Sequence, residues 1–231
     1  HKEYRRQRQM CIRDSKVANH PETDTSPLLN EKGHRQFQML LGMMQWLCLI
    51  GRPDLCNATA SLSRFGACPR VGHLDLALHV FGFIKMHADR QIAIDAKPLD
   101  YKRTAQWQQL KIDFAMDYPD AKEEIDSKFP KAYGKPWQTT VMVDADHAHD
   151  LVTRRSLTGL IAYIGSTPVL WLSKRQGAIA ASTYAAEFYA LRVATEEAVN
   201  LRYMLRAFGI NVDGATQVFG DNMSVILNST D

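Results

Sequence analysis

Apolar residues recur at Phe37, Leu40, Leu41, Met44, Leu47 and Cys48, the i, i+3, i+4 spacing of one helix face. Gly51 and Pro53 close that helix. A second helix is expected in "RPDLCNATASLSRFGACP", opened by Pro53-Asp54 and stopped by Gly66 and Pro69. A third is expected in "VGHLDLALHVFGFIKMHAD", where Leu74, Leu78, Phe81 and Ile84 share a face. Three helices with short connections predict a small antiparallel bundle over residues 36–89. The pattern loosens over 90–137. There "RQIAIDA" and "WQQLKIDFAMDY" read as strands, and "PDAKEEIDSKFPKAYGKPW" reads as a charged, Pro-rich linker.

A cleaner pattern begins at residue 138. "TTVMVDA", "TGLIAYIG" and "PVLWLSK" read as three strands, the last two joined by the turn "GSTP". Ser182 to about Phe208 reads as one long helix. Ser182 or Thr183 is placed to cap it, Gly209 to stop it, and Tyr184, Phe188, Leu191, Ala198, Leu201, Leu205 and Phe208 to form its apolar face. "TQVFGDN" is a fourth strand and "MSVILN" a second helix, giving the order βββαβα over 138–231. The fold class is therefore α/β, preceded by a helical bundle.

Charge does not point to a nucleic-acid partner by itself. The chain carries 28 Lys and Arg against 25 Asp and Glu, a net of +3. Residues 1–35 hold eight basic and five acidic residues, which accounts for the whole excess. That stretch lacks apolar periodicity and reads as a disordered, non-native tail, and the absence of an initial Met reads as a fragment boundary. No signal-peptide pattern or membrane-length apolar run is expected. The four cysteines (Cys11, Cys48, Cys56, Cys68) show no metal-binding spacing and read as free thiols. A Cys48–Cys56 disulfide would need an oxidising compartment.

The candidate chemistry lies in "TTVMVDADHAHD", which brings Asp144, Asp146, His147, His149 and Asp150 close together. A zinc-hydrolase reading fails because no terminal His follows the His-x-His-Asp run. A different set is more coherent. Asp144 ends the first of these strands, Asp221 ends the fourth, and Glu187 sits in the second turn of the long helix, at the border of its buried face. Ligands gather beyond the carboxyl ends of strands in open sheets. Three carboxylates at one place need a counter-charge, and an oxygen-only donor set suits Mg²⁺ or Mn²⁺.

The stretches "VDADHAHD", "TRRSLTG", "VLWLSKRQ", "STYAAEFYALRVATEEAVNLRYMLRAFGI" and "FGDNMSVI" occur in this order. Together they resemble the C-terminal part of the reverse transcriptase polyprotein of Ty1/copia-type retrotransposons, ending in its ribonuclease H domain. "LLGMMQWLCLIGRPDLCNATASLSRF" is similar to the helical thumb or connection segment that follows the polymerase palm. The resemblance covers roughly residues 36–231. It implies an RNase H-like mixed sheet and hydrolysis of the RNA strand of an RNA–DNA hybrid by two metal ions. In that scheme Asp144 bridges the ions, Glu187 and Asp221 each hold one, and Asp146 has a supporting role. Arg154, Arg155, Ser156, Lys174 and Arg175 become candidate contacts to the hybrid, although residues 139–231 carry seven basic and nine acidic residues. An upstream polymerase domain is the implied partner, without a membrane, in cytoplasmic retroelement particles or the nucleus. His149 replaces the family's usual Gly, Gly220 precedes Asp221 where Cys is frequent, and a fourth ligand is expected beyond residue 231. A weak or inactive nuclease, or a structural remnant of a degraded element, is the alternative.

Overall fold

In the computed structural model of the chain, residues 20–100, 119–120, 123–212 and 214–229 are described. The protein is mixed α/β. Its elements are helices α1 (Glu31–Ile50), α2 (Cys56–Ser63) and α3 (Val71–Met86); strands β1 (Tyr133–Trp137), β2 (Thr139–Asp146), β3 (Leu157–Ile164) and β4 (Thr167–Arg175); helix α4 (Thr183–Ala207); strands β5 (Ile210–Val212) and β6 (Gln217–Phe219); and helix α5 (Met223–Asn228). A four-stranded sheet has the order β4-β3-β2-β6, and β1 pairs with β5 in a separate ribbon. The chain divides into two compact units. One comprises the described residues of His1–Ile92 with Ala145–Gly159 and Leu172–Ala186. The other comprises those of Ala93–Asp144, Leu160–Trp171 and Glu187–Asp231.

In the first unit, α1, α2 and α3 pack against one another. Their core is Phe37, Leu40, Leu41, Met44, Leu62 and Ala77, with Leu74, Leu76, Val80 and Phe81 packed at its margin. The α1 stripe matches the predicted spacing. On α3 the face is rotated: His73 and Ala77 are buried while Leu78 is exposed. His73 explains the rotation. Its Nδ1 accepts the Arg70 amide, so Nε2 carries the proton and donates to the Pro21 carbonyl at 2.8 Å. The ring also stacks on Phe65, with centroids 4.0 Å apart. An imidazole with both ring nitrogens hydrogen-bonded can occupy a core position that an apolar count would not assign to it.

Residues 20–35 of the expected disordered tail are structured, while residues 1–19 lie outside the described residues. Asn30 caps α1 by accepting the Gly33 amide at 2.8 Å, so the helix starts at Glu31. Pro21–Thr23 forms a 3-10 turn, and Leu28 bridges to Arg70. Residues 20–35 therefore belong to the first unit.

In the second unit, β2 runs parallel to β6 with Thr140, Val141 and Met142 opposite Gln217, Val218 and Phe219. Val141 and Val143 are buried on one side of β2, while Asp144 on the other side is exposed. Gly165 and Ser166 make the two-residue β3–β4 turn, and Gly165 has φ 58°. A Cβ there would lie 2.8 Å from the Lys97 carbonyl oxygen. Gly165→Ala should lower stability by roughly 1–2 kcal/mol from the left-handed backbone alone, measurable by chemical denaturation. Asp95, next to this turn, is not in a strand. Its amide donates to Thr167 Oγ1, and its carbonyl accepts from Ser166 and Thr167. "RQIAIDA" is thus an extended strap without a strand assignment, while "WQQLKIDFAMDY" lies outside the described residues.

Two further differences concern the linker and the long helix. Tyr133–Trp137, expected as linker, is β1, and β5 is an additional short strand pairing with it in parallel. Upstream, Glu123 is gripped by Arg206 and Arg202, whose hydrogen bonds hold its carboxyl at about 2. On α4 the buried stripe is Ala186, Ala190, Ala194, Ala198, Leu201 and Leu205, whereas Phe188 is 47% and Phe208 79% exposed and Tyr184 is also exposed. Small side chains mark the buried face here, because they permit close backbone approach where large ones would not. Ser182 is the cap, accepting the Ala185 amide at 3.1 Å.

Candidate metal centre

The β2–β6 register positions two of the acids. Continuing the pairing two residues past Met142 and Phe219 brings Asp144 level with Asp221. Period-two alternation keeps Asp144 on the face of Thr140 and Met142. Asn222 then accepts the Val225 amide at 3.2 Å and starts α5, which ends the extended chain just after Asp221.

The third acid comes from α4. Glu187 lies three residues before Ala190 and seven before Ala194, on the buried stripe, and is only 8% exposed. One carboxylate oxygen from each of Asp144, Glu187 and Asp221 falls within 4.8 Å of the others. Asp144 and Asp221 are exposed and Glu187 is buried, so the cluster opens to solvent on one side. Three carboxylates at this separation repel one another unless a cation or protons intervene. The donor set is oxygen only and preorganised by a strand pair and a helix, which fits a hard divalent cation. These residues can hold a metal ion.

The neighbouring acids and histidines disperse to other partners, all within the first unit. His149 Nδ1 pairs with Asp146 Oδ2 at 2.8 Å, and His147 Nε2 lies 3.2 Å from the Ala180 carbonyl. Asp150 is buried. Its Oδ1 accepts the Val152 and Thr153 amides at 3.0 and 2.9 Å, and its Oδ2 pairs with Arg64 and, at 3.3 Å, with Arg175. Burial pushes this carboxyl up, but the Thr153 amide and Arg64 outweigh it and hold it at about 2. Arg64 also grips Glu22 at 3.0 Å, and Glu22 Oε1 accepts the Leu151 amide at 2.9 Å. Burial raises the Glu22 carboxyl as well, yet these donors leave it below its ordinary value. The Glu22–Arg64–Asp150–Arg175 chain was not legible in the sequence, where Asp150 reads as one more possible ligand.

The five candidate nucleic-acid contacts differ in availability. Arg154, at φ 57°, and Lys174 are exposed. Arg155 is half-buried and lines a small cavity with Arg64, His149, Asp150 and Arg175. Arg175 is committed in part to Asp150. Ser156 is a correction. It is fully buried, its hydroxyl accepts the Ala148 amide at 3.1 Å, and its carbonyl accepts the Gln176 amide. Its position favours holding the 147–156 loop over meeting a phosphate. Thr158 is likewise buried and receives a hydrogen bond from Gln176 Nε2 at 3.0 Å. Trp46 on α1 is exposed. No helix among the described residues is long and apolar enough to cross a membrane.

The chain matches no protein-family model, and no solved structure matches it. Among curated proteins it is similar to Secreted RxLR effector protein 161 of Plasmopara viticola, with 28% identity over 169 residues, covering 72% of this chain and 91% of that protein.

Proposed function

We propose that residues 138–231 are an RNase H-like module of a Ty1/copia-type retroelement reverse transcriptase, hydrolysing the RNA strand of RNA–DNA hybrids with Mg²⁺ or Mn²⁺. The observation that carries this reading is the convergence of Asp144, Glu187 and Asp221 within 4.8 Å on parallel strand ends and one helix turn. In a two-ion arrangement Asp144 would bridge the ions, and Glu187 and Asp221 would each bind one. Bound divalent ions would activate the attacking water and stabilise the leaving 3′-oxyanion. The protein contributes position: β2 and β6 fix two carboxylates, and burial of Glu187 restricts the third. Exposed Arg154 and Lys174 are the basic side chains best able to meet hybrid phosphates.

The test is cleavage of a labelled RNA–DNA hybrid, with Mg²⁺, with Mn²⁺ and with chelator. Divalent-dependent cutting of the RNA strand alone is expected. Metal binding without cutting would favour a non-catalytic remnant of a degraded element. Binding itself has a separate readout. At a Mg²⁺ concentration ten times its Kd, the folded state gains about 1.4 kcal/mol, which raises Tm by roughly 3–6 °C for a chain of this size. No shift with either ion would remove the metal centre from the proposal.

A second reading follows from the Plasmopara viticola protein, whose name describes a secreted effector. The similarity runs over most of that protein, so an effector role for this chain is the competing proposal. Absence of both divalent binding and hybrid cleavage would favour it.

A further inference from the structure

Cys48 lies in the last turn of α1 and Cys56 opens α2. Between them Gly51 adopts φ 145° and Pro53–Leu55 forms a 3-10 turn, so the chain doubles back on itself. The Arg52 guanidinium fixes this corner by binding Asp54 through Nε and Nη2 at 2.9 and 3.0 Å. Cys48 Sγ lies 3.3 Å from Thr59 Oγ1, which stands one turn along α2 from Cys56, so the Cys48 thiol sits against the first turn of α2 where Cys56 begins. Both cysteines are reduced. Cys48 is 9% exposed, whereas Cys56 is half-buried and reachable from solvent.

We propose that Cys48 and Cys56 are a modification site, a thiol pair converted by hydrogen peroxide into an intramolecular disulfide that ties the end of α1 to the start of α2. The chemistry needs one peroxide per pair. The Cys48 thiolate attacks the peroxide, the O–O bond breaks, and Cys48 becomes a sulfenic acid as water leaves. The Cys56 sulfur then attacks the sulfenic sulfur, the S–O bond breaks, and a second water leaves with the Cys56 proton. The two thiols lose two protons and two electrons, and the peroxide gains both. A hydrogen bond from Cys56 draws the Cys48 thiol down to about 7 against the effect of burial, with Thr59 assisting, while Cys56 is pushed up. Attack at neutral pH therefore belongs to Cys48 and resolution to Cys56.

The bridge closes a short loop, so it constrains the unfolded chain little, and oxidation state is a better readout than Tm. The experiment uses the full chain carrying Cys11→Ser and Cys68→Ser, treated with hydrogen peroxide. The intact mass should fall by two hydrogen atoms and recover with dithiothreitol. Cleavage before Asp54 separates the two cysteines in sequence, so peptides that remain joined identify the bridge. Adding Cys56→Ser should stop the reaction at a Cys48 sulfenic acid that dimedone traps. Disulfide-linked dimers, both thiols still free after peroxide, or Cys48 passing to sulfinic acid with Cys56 present would each overturn the proposal.

Discussion

Under the proposed function, Asp144→Asn should lower divalent-dependent hybrid cleavage by about three orders of magnitude, corresponding to about 4 kcal/mol of lost transition-state stabilisation. Asp144 has the largest expected effect because it stands beside both Asp221, through the β2–β6 register, and Glu187. The same substitution should act oppositely on stability. With chelator present, three carboxylates within 4.8 Å repel one another. Like charges at that distance cost each other roughly 1 kcal/mol even in water-like surroundings. The variant should therefore unfold at equal or higher denaturant concentration than the parent without metal, and should gain nothing from added Mg²⁺. Equilibrium denaturation with and without the ion separates a metal ligand from an ordinary surface acid. An ordinary acid would show no such crossing, and a collapse of stability in chelator would mark Asp144 as a structural residue.

The acids of this centre were legible in the sequence because each is placed by local periodicity. Asp144 and Asp221 follow short apolar runs that become β2 and β6, and Glu187 falls within one turn of positions that face inward on α4. On α4 the expected Ala198, Leu201 and Leu205 are buried, but the aromatic positions expected beside them are not, for a reason of size. Hydrophobic patterning weights Tyr184, Phe188 and Phe208 above Ala186, Ala190 and Ala194, yet the alanines are buried and the aromatics exposed. The two stripes lie a fraction of a turn apart, and residue size rather than periodicity selects between them. Strands β1 and β5 were hidden for another reason. "YGKPW" contains Gly134 and Pro136 and "INV" spans only three residues, so neither gives a strand signal without its partner. Ion pairs are harder still. Glu22, Arg64, Asp150 and Arg175 are scattered along the chain, and no spacing rule joins them.

That network carries the largest stability effect expected of a single side chain. Arg64→Ala should destabilise the first unit by up to about 3–5 kcal/mol, since it removes the guanidinium shared by two buried carboxylates and leaves only Arg175 and backbone amides to compensate them. Two carboxylates are affected: the Glu22 and Asp150 side chains are only 6% and 4% exposed. For a chain of this length a loss of that size corresponds to a fall in Tm of at least about 6 °C, followed in the transition of the first unit because the two units need not melt together. Asp150→Asn added to Arg64→Ala should cost less than the two separate losses combined, since an amide no longer needs the guanidinium. Acid sensitivity provides an independent sign. The Asp150 carboxyl is held at about 2 in the folded protein, below its ordinary value of 3.8. A depressed acid stabilises the fold above its unfolded pKa and loses that contribution as pH falls through the folded one. Asp150 thus contributes about 2 kcal/mol at neutral pH, lost progressively between about pH 5 and pH 2 and below. In Arg64→Ala the folded value rises toward the unfolded one, so the denaturation midpoint of the first unit should be lower at pH 7 and change less between pH 5 and pH 2. Parallel profiles for the two proteins would mean that the Val152 and Thr153 amides hold the charge without help from Arg64.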